Sequence, residues 1–298
     1  MAILKKRNRQ IGKKKQVLNI LKPLGIFTFE CAVILLNSLI RSSVLYGTEA
    51  LYNITESEMR GIEKIEEDQM RNIFQVKTGI QVPIHLMYLE LGQVPARFQV
   101  QRFKLNFLQY ILHQKETSLL HKMLIAQKQN PTRGDWVSEV SESLKTLGIN
   151  LEFEEIRIMT RKCFRKLTKA KAFEAAFLDL KRKQENGSKG RTLNYGKSLA
   201  MADYLCPNNQ LSVQDQRDLF QIRSRTNPLP ANRGNPLLCV CGEVQDNYHI
   251  LQCDITNPGK KIEIEVLING SLLEMKSILP QWRESIANLE ILNSMDLA

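Results

Sequence analysis

A chain of 298 residues with 42 Lys plus Arg against 31 Asp plus Glu carries a formal charge of +11. Its 43% hydrophobic and 24% charged residues are a globular composition, which excludes a disordered, collagen-like or purely coiled-coil chain and is long enough for two cores. The positive excess is local: residues 1–29 hold eight bases and no acid, residues 154–197 hold thirteen bases and five acids, and the rest holds 21 bases against 26 acids. Two such windows predict two polyanion-contacting surfaces rather than a uniformly basic shell, with a solvated, partnerless charge as the alternative.

Residues 1–23 form a basic arm containing Lys5-Lys6-Arg7, Arg9 and Lys13-Lys14-Lys15. Nuclear targeting, a nucleic-acid arm, an organellar presequence and a plain solvated tail all fit this composition. No secretory signal is read, because Glu30 interrupts the apolar run that starts at Leu24 and no small-residue cleavage site follows. The stretch 31–40, CAVILLNSLI, is about half of what a membrane span needs. The expectation is an intracellular, nuclear protein with no membrane partner.

Residues 24–150 read as a helical domain. In the first helix Phe27, Cys31, Ile34, Leu35, Leu39 and Val44 recur at helical spacing and are expected inward, up to a stop at Tyr46-Gly47. Thr55-Glu56-Ser57-Glu58 is a capping box that starts a second helix, with Met59, Ile62, Ile65, Met70 and Phe74 as its apolar stripe and Glu66-Glu67-Asp68 on its exposed face. Gly79, Pro83, Gly92 and Pro95 cut the next stretch into short helices. From Arg97 to Lys115 a long helix turns Phe98, Phe103, Phe107, Tyr110 and Ile111 inward, as core rather than as a platform for stacking bases. His85, His113 and His121 have no nearby Cys or paired acids and read as packing or surface residues; Ser198 and Cys163 have no base partner and receive no nucleophilic role.

Residues 151–197 are a basic helical connector and linker, continuous helix from Leu151 to Gln184 and then QENGSKG. Ile156, Phe164, Leu167, Phe173, Phe177 and Leu180 form its buried side. Arg157, Arg161, Arg165 and Lys169 step by four along another face, widened by Lys162 and Lys166, with no acid from Arg157 to Ala172. Rungs about 6 Å apart on a helix can follow a phosphate backbone, and a merely solvated face would interleave acids. These six side chains are the expected nucleic-acid contacts.

Residues 198–258 carry the chemistry. Cys239, Cys241 and Cys253 share one 15-residue stretch with His249, in the pattern Cys-x-Cys-x7-His-x3-Cys. In a reducing compartment clustered thiols mean metal rather than disulfides. Gly242 suits a tight turn presenting two ligands, and His249 and Cys253 fall on one helix face. Three thiolates and one imidazole leave no open position, so one structural zinc ion is expected. Residues 259–298 form a short tail in which 262–268 (IEIEVLI) alternates like a strand and 272–292 is a helix broken at Pro280, giving a small α/β element on a mainly α protein.

The segment CVCGEVQDNYHILQC, preceded by LFQIRSRTNPLP, resembles the C-terminal zinc knuckle of reverse transcriptases from non-LTR (LINE-type) retrotransposons. Upstream, LLNSLIRSSVLYGTEALYNI, MRGIEKIEEDQMRNIF and TGIQVPIHLMYLELGQVPARFQVQRFKLNFLQYIL are similar to the thumb of the same family, in the same order. The resemblance implies a thumb in residues 24–150, with Leu45, Tyr46, Gly47 and Glu49 on its entry motif, Phe220 and Arg223 on the motif before the knuckle, Arg223 being one more expected nucleic-acid contact, and Cys239, Cys241, His249 and Cys253 as zinc ligands. The one-residue gap between the first two cysteines departs from the family pattern. The paired Asp that polymerases of this class use to hold two metal ions are absent, since none of the nine Asp has an Asp neighbour. The expectation is therefore a catalytically incomplete fragment that binds RNA or DNA without sequence preference. The alternatives are a zinc-stabilised structural or protein-interaction module, and part of an active polymerase whose palm lies on another segment.

Overall fold

The computed structural model describes residues 27–51, 54–76, 82–132, 134–187, 193–207, 211–225, 238–239, 241–243, 249, 252–255 and 264–295. The basic arm and residues 188–190 of the QENGSKG linker lie outside them. The protein is mainly helical, with no strand among the described residues. No helix among them is long and apolar enough to cross a membrane.

The first helix, α1 (Phe29–Leu35), is capped by Thr28, whose hydroxyl accepts the Cys31 N–H at 3.1 Å. It runs into a π turn, Leu36–Arg41, where the Ser42 N–H reaches five residues back to the Asn37 carbonyl, and then into Ser42–Val44. The buried row is Phe29, Ala32, Leu36, Ile40 and Val44, while Cys31 and Ile34 face solvent. The expected inward face is thus rotated. The segment is apolar nearly all round, so several faces fit equally well, and the wide turn changes the helical phase partway along.

Helix α2 (Glu56–Ile73) starts at the expected capping box, Thr55 and Glu58 each bonding the other's backbone N–H. Ile62, Met70 and Phe74 are buried as expected. Glu66, expected on the exposed face, is wholly buried. It accepts the Arg41 Nε–H at 2.8 Å and the Tyr88 hydroxyl at 2.7 Å, and Arg41 donates onward to Asn37, Gln93 and the Val94 carbonyl. A buried carboxylate survives only when paired and hydrogen-bonded in this way, and hydropathy patterning has no means of showing the partner.

Short α3 (Ile84–Glu90) leads to α4 (Ala96–Leu112), α5 (Leu119–Gln129), α6 (Trp136–Thr146) and α7 (Phe153–Ile158). The long α8 (Arg161–Asn186) packs along α4 and against α3. The expected unbroken helix from Leu151 to Gln184 is interrupted at Met159 and Thr160, both extended. Two side chains account for the break. Buried Gln109 of α4 donates to the Ile156 and Met159 carbonyls at 3.5 and 3.1 Å, satisfying the end of α7, and the Thr160 hydroxyl accepts the Cys163 N–H to start α8.

Beyond α8 the chain returns to the first domain. Leu91 and Met201 form an isolated antiparallel bridge, and the Ala202 N–H bonds the Glu90 carbonyl at 2.8 Å. Between them Gly92 has φ +61, and a Cβ there would sit 2.4 Å from the Ala200 carbonyl carbon, so only glycine fits. Helix α9 (Val213–Arg223) puts Phe220 in a run of rings, 3.7 Å from Phe74, which is 5.2 Å from Phe29. Helices α1, α2 and α9 therefore share one core.

The expected strand is helix α10 (Ile264–Asn269) over its described part. Two-residue alternation over so short a run fits either state, and the Gly270 N–H to Val266 carbonyl bond of 2.9 Å decides for helix. Helix α11 (Leu272–Met295) passes through Pro280 without the expected break. Pro280 is exposed, and Met275, Leu279 and Trp282, buried on either side of it, hold the two halves in line. Arg283 of α11 pairs with Asp215 and Asp218 of α9, both at 2.6 Å.

Candidate metal centre and basic groove

The four residues chosen from spacing come together. One ligand atom from each of Cys239, Cys241, His249 and Cys253 lies within 4.8 Å of every other. The Cys253 sulfur is 3.9 Å from those of Cys239 and Cys241, and the Cys241 sulfur is 3.2 Å from His249 Nε2. Thiolates on a tetrahedral zinc, each with a bond of about 2.3 Å, stand about 3.8 Å apart, so the donor set has the size and softness for one such ion. The turn is the one expected: Gly242 has φ +92, its N–H bonds the Cys239 carbonyl at 2.8 Å, and the Cys239 N–H bonds the Glu243 carbonyl at 2.7 Å. The Cys253 N–H to His249 carbonyl bond of 2.7 Å is one helical step, which aligns the second ligand pair. Burial pushes the Cys239 thiol up to about 11, the Cys241 and Cys253 thiols adding to the shift. A bound cation would reverse that preference.

Along α8, Arg161, Lys162, Arg165, Lys166 and Lys169 are all exposed, and none forms an ion pair among the described residues. The second half of the same helix differs: Lys171 pairs with Glu174, and Arg182 and Lys183 pair with Asp179. The helix is thus divided into an uncompensated basic half and a self-neutralised half. Two expected contacts stand apart. Arg157 lies on α7, beyond the break, and is 3.2 Å from Glu116. Arg223 is 7% exposed, with Nε 2.9 Å from Glu90 Oε1 and Nη1 bonded to the Ile268 carbonyl, its plane near the rings of Tyr195 and Tyr204. Arg223 is thus a buried guanidinium already paired with a carboxylate rather than a side chain of the exposed ridge, and it is corrected from a contact to a core residue.

The expected inward residues of α4 are also divided. Phe98 and Ile111 are in the core as expected, but Phe103, Phe107 and Tyr110, the last 42% exposed, open onto a groove of about 1080 Å³ between α1, α4 and α8. Arg165 and Lys169 form its α8 rim, Phe173 lies beside them, and Tyr46, 80% exposed, stands on the α1 side. Arg161 lies over the outer ring of this set, 5.7 Å from the Tyr110 centroid. Sequence periodicity could not find this groove, because it lies between three helices rather than in any one helix's own pattern. The one available signal was Tyr46, an aromatic set directly before a turn glycine.

No protein-family model matches the chain, and no curated protein or solved structure matches it.

Proposed function

We propose that this chain is a nucleic-acid-binding, catalytically incomplete piece of a LINE-type reverse transcriptase, acting in the nucleus, with a thumb that grips phosphates and a knuckle stabilised by one structural zinc ion. The observation that carries the reading is the uncompensated half of α8: five exposed cations within nine residues, with no acidic partner among the described residues, beside a groove of aromatic rings. Phosphates neutralised by such side chains release counterions whatever the bases are, so binding is sequence-tolerant and salt-dependent. The Cys3His set suits zinc through its three soft donors and leaves no position for a reacting water, which favours a structural role. The chain has no adjacent aspartates to hold a metal pair at an attacking and a leaving oxygen, so gripping rather than phosphoryl transfer is the activity proposed.

Fluorescence anisotropy with unrelated oligonucleotide sequences over a salt series tests this. Saturable binding with a log–log salt slope between about −3.5 on single strands and −4.5 on duplex is expected if each of the five cations covers one phosphate. Absence of saturable binding at moderate salt would reject the reading in favour of a zinc-stabilised protein-interaction module.

A further inference from the structure

The groove between α1, α4 and α8 has features that a phosphate-tracking ridge does not require. Its walls carry five aromatic rings, those of Tyr46, Phe103, Phe107, Tyr110 and Phe173, against two aliphatic side chains, Leu45 and Val94. A groove for an apolar protein helix is lined mainly with aliphatic and Met side chains; rings offer flat faces. Its charged residues are Arg41, Arg102, Arg165 and Lys169 against Glu49 alone. Arg41 is already neutralised by Glu66, so the balance still favours an anionic occupant.

Two buried polar atoms in the wall are unsatisfied. Gln99 Oε1, an acceptor, and Arg102 Nε, a donor, have no hydrogen-bond partner among the described residues. They belong to residues three apart on α4 and so lie on one side of that helix. Buried polar atoms are nearly always satisfied by protein, water or ligand, so this wall has one acceptor and one donor to spare, the two kinds of group that a nucleobase edge also carries. Burial lowers the Arg102 pKa and the nearby Arg41 charge adds to the shift, so an anion brought into the groove would stabilise this guanidinium.

Resting on the nucleic-acid reading above, we propose that the groove takes an unpaired base of a single strand whose phosphates run over Arg165 and Lys169. A duplex keeps its base faces stacked inside and cannot offer a ring to Tyr46 or Phe107. An unpaired strand can, and stacking on aromatic side chains tolerates any base. The protein then grips single strands, or the unpaired side of a strand junction, more tightly than it grips duplex.

The test compares three labelled probes of one length at one salt concentration: an oligothymidylate, an abasic strand with the same phosphates, and a duplex. The expected result is that the full chain binds oligothymidylate at least about fivefold more tightly than the abasic strand. Tyr46→Ala, at a position too exposed to support the core, erases that difference while leaving abasic and duplex binding unchanged, and Tyr46→Phe restores it. Equal affinity of the full chain for the thymidylate and abasic strands overturns the groove's role and leaves the ridge reading intact. A preference that survives Tyr46→Ala also overturns it and gives the groove to a protein partner. Failure to bind any of the three overturns both readings.

Discussion

Arg223 and Glu90 are 133 residues apart in the chain, and their side chains meet at 2.9 Å inside the core. Glu90 ends α3, Arg223 ends α9, and Tyr195 donates its hydroxyl to the same carboxylate oxygen at 2.7 Å. The pair joins α9 to α3. Arg223→Leu should cost about 3–5 kcal/mol, because it leaves a buried carboxylate without its cation. Urea denaturation checks this, and oligonucleotide affinity per folded molecule should stay at the wild-type value. A stable variant with weakened binding would return Arg223 to the nucleic-acid surface.

The metal centre predicts a stoichiometry. Protein prepared with zinc present should hold one ion per chain, and Cys253→Ala, which removes a buried ligand, should hold close to none. Cobalt replacing zinc should show the visible absorption of a tetrahedral thiolate site. Chelation should loosen the turn at Cys239–Gly242, seen as faster amide exchange, because the metal supplies folding free energy to so small a unit. A zinc content near zero in metal-replete wild type rejects the centre.

The basic half of α8 predicts a change of slope rather than a simple loss. Arg161, Arg165 and Lys169 changed together to Gln remove three phosphate contacts, so the log–log salt slope on a single strand should flatten by about 2. Arg182→Gln and Lys183→Gln, in the half already paired with Asp179, should leave the slope unchanged. Equal effects of the two sets would show that only net charge matters.

Asp135 supplies the pH dependence. Its carboxylate accepts the Ser138 and Thr132 N–H groups, both at 2.7 Å, and those bonds hold its pKa down to about 2, below the ordinary aspartate value of 3.8. A depressed folded-state pKa stabilises the fold fully above the unfolded value, and the contribution is lost as pH falls through the folded one. The stability of wild type relative to Asp135→Asn should therefore be constant above about pH 4 and shrink towards pH 2. Paired unfolding curves over that range check it; a difference that grows on acidification would contradict the assigned bonds.

Local chemistry was legible in the sequence, and relations between distant segments were not. The Thr55–Glu58 box and the Cys239, Cys241, His249 and Cys253 set each lie within a few residues, so spacing alone located them. The mainly helical class followed from periodicity. Glu66, Gln109 and Arg223 were misread or passed over because each is a polar side chain made tolerable by a partner 25, 47 and 133 residues away. The helix break at Met159 and Thr160 has the same origin, since the group that ends α7 comes from α4. Ile264–Asn269 failed for a different reason, being too short for its alternation to separate strand from helix.

The π turn at Leu36–Arg41 places two neighbours, Ile40 and Arg41, inward side by side. In chain-length terms it is an extra residue absorbed without breaking the helix. Removing one residue there would restore regular winding and leave the turns on either side facing as they do now, because a π turn spreads one extra residue over nearly the same rotation. Phe29 would stay in the ring stack and Arg41 beside Glu66. The register of this first helix is accordingly set by its two anchored ends, and the wide turn takes up the residue that does not fit between them.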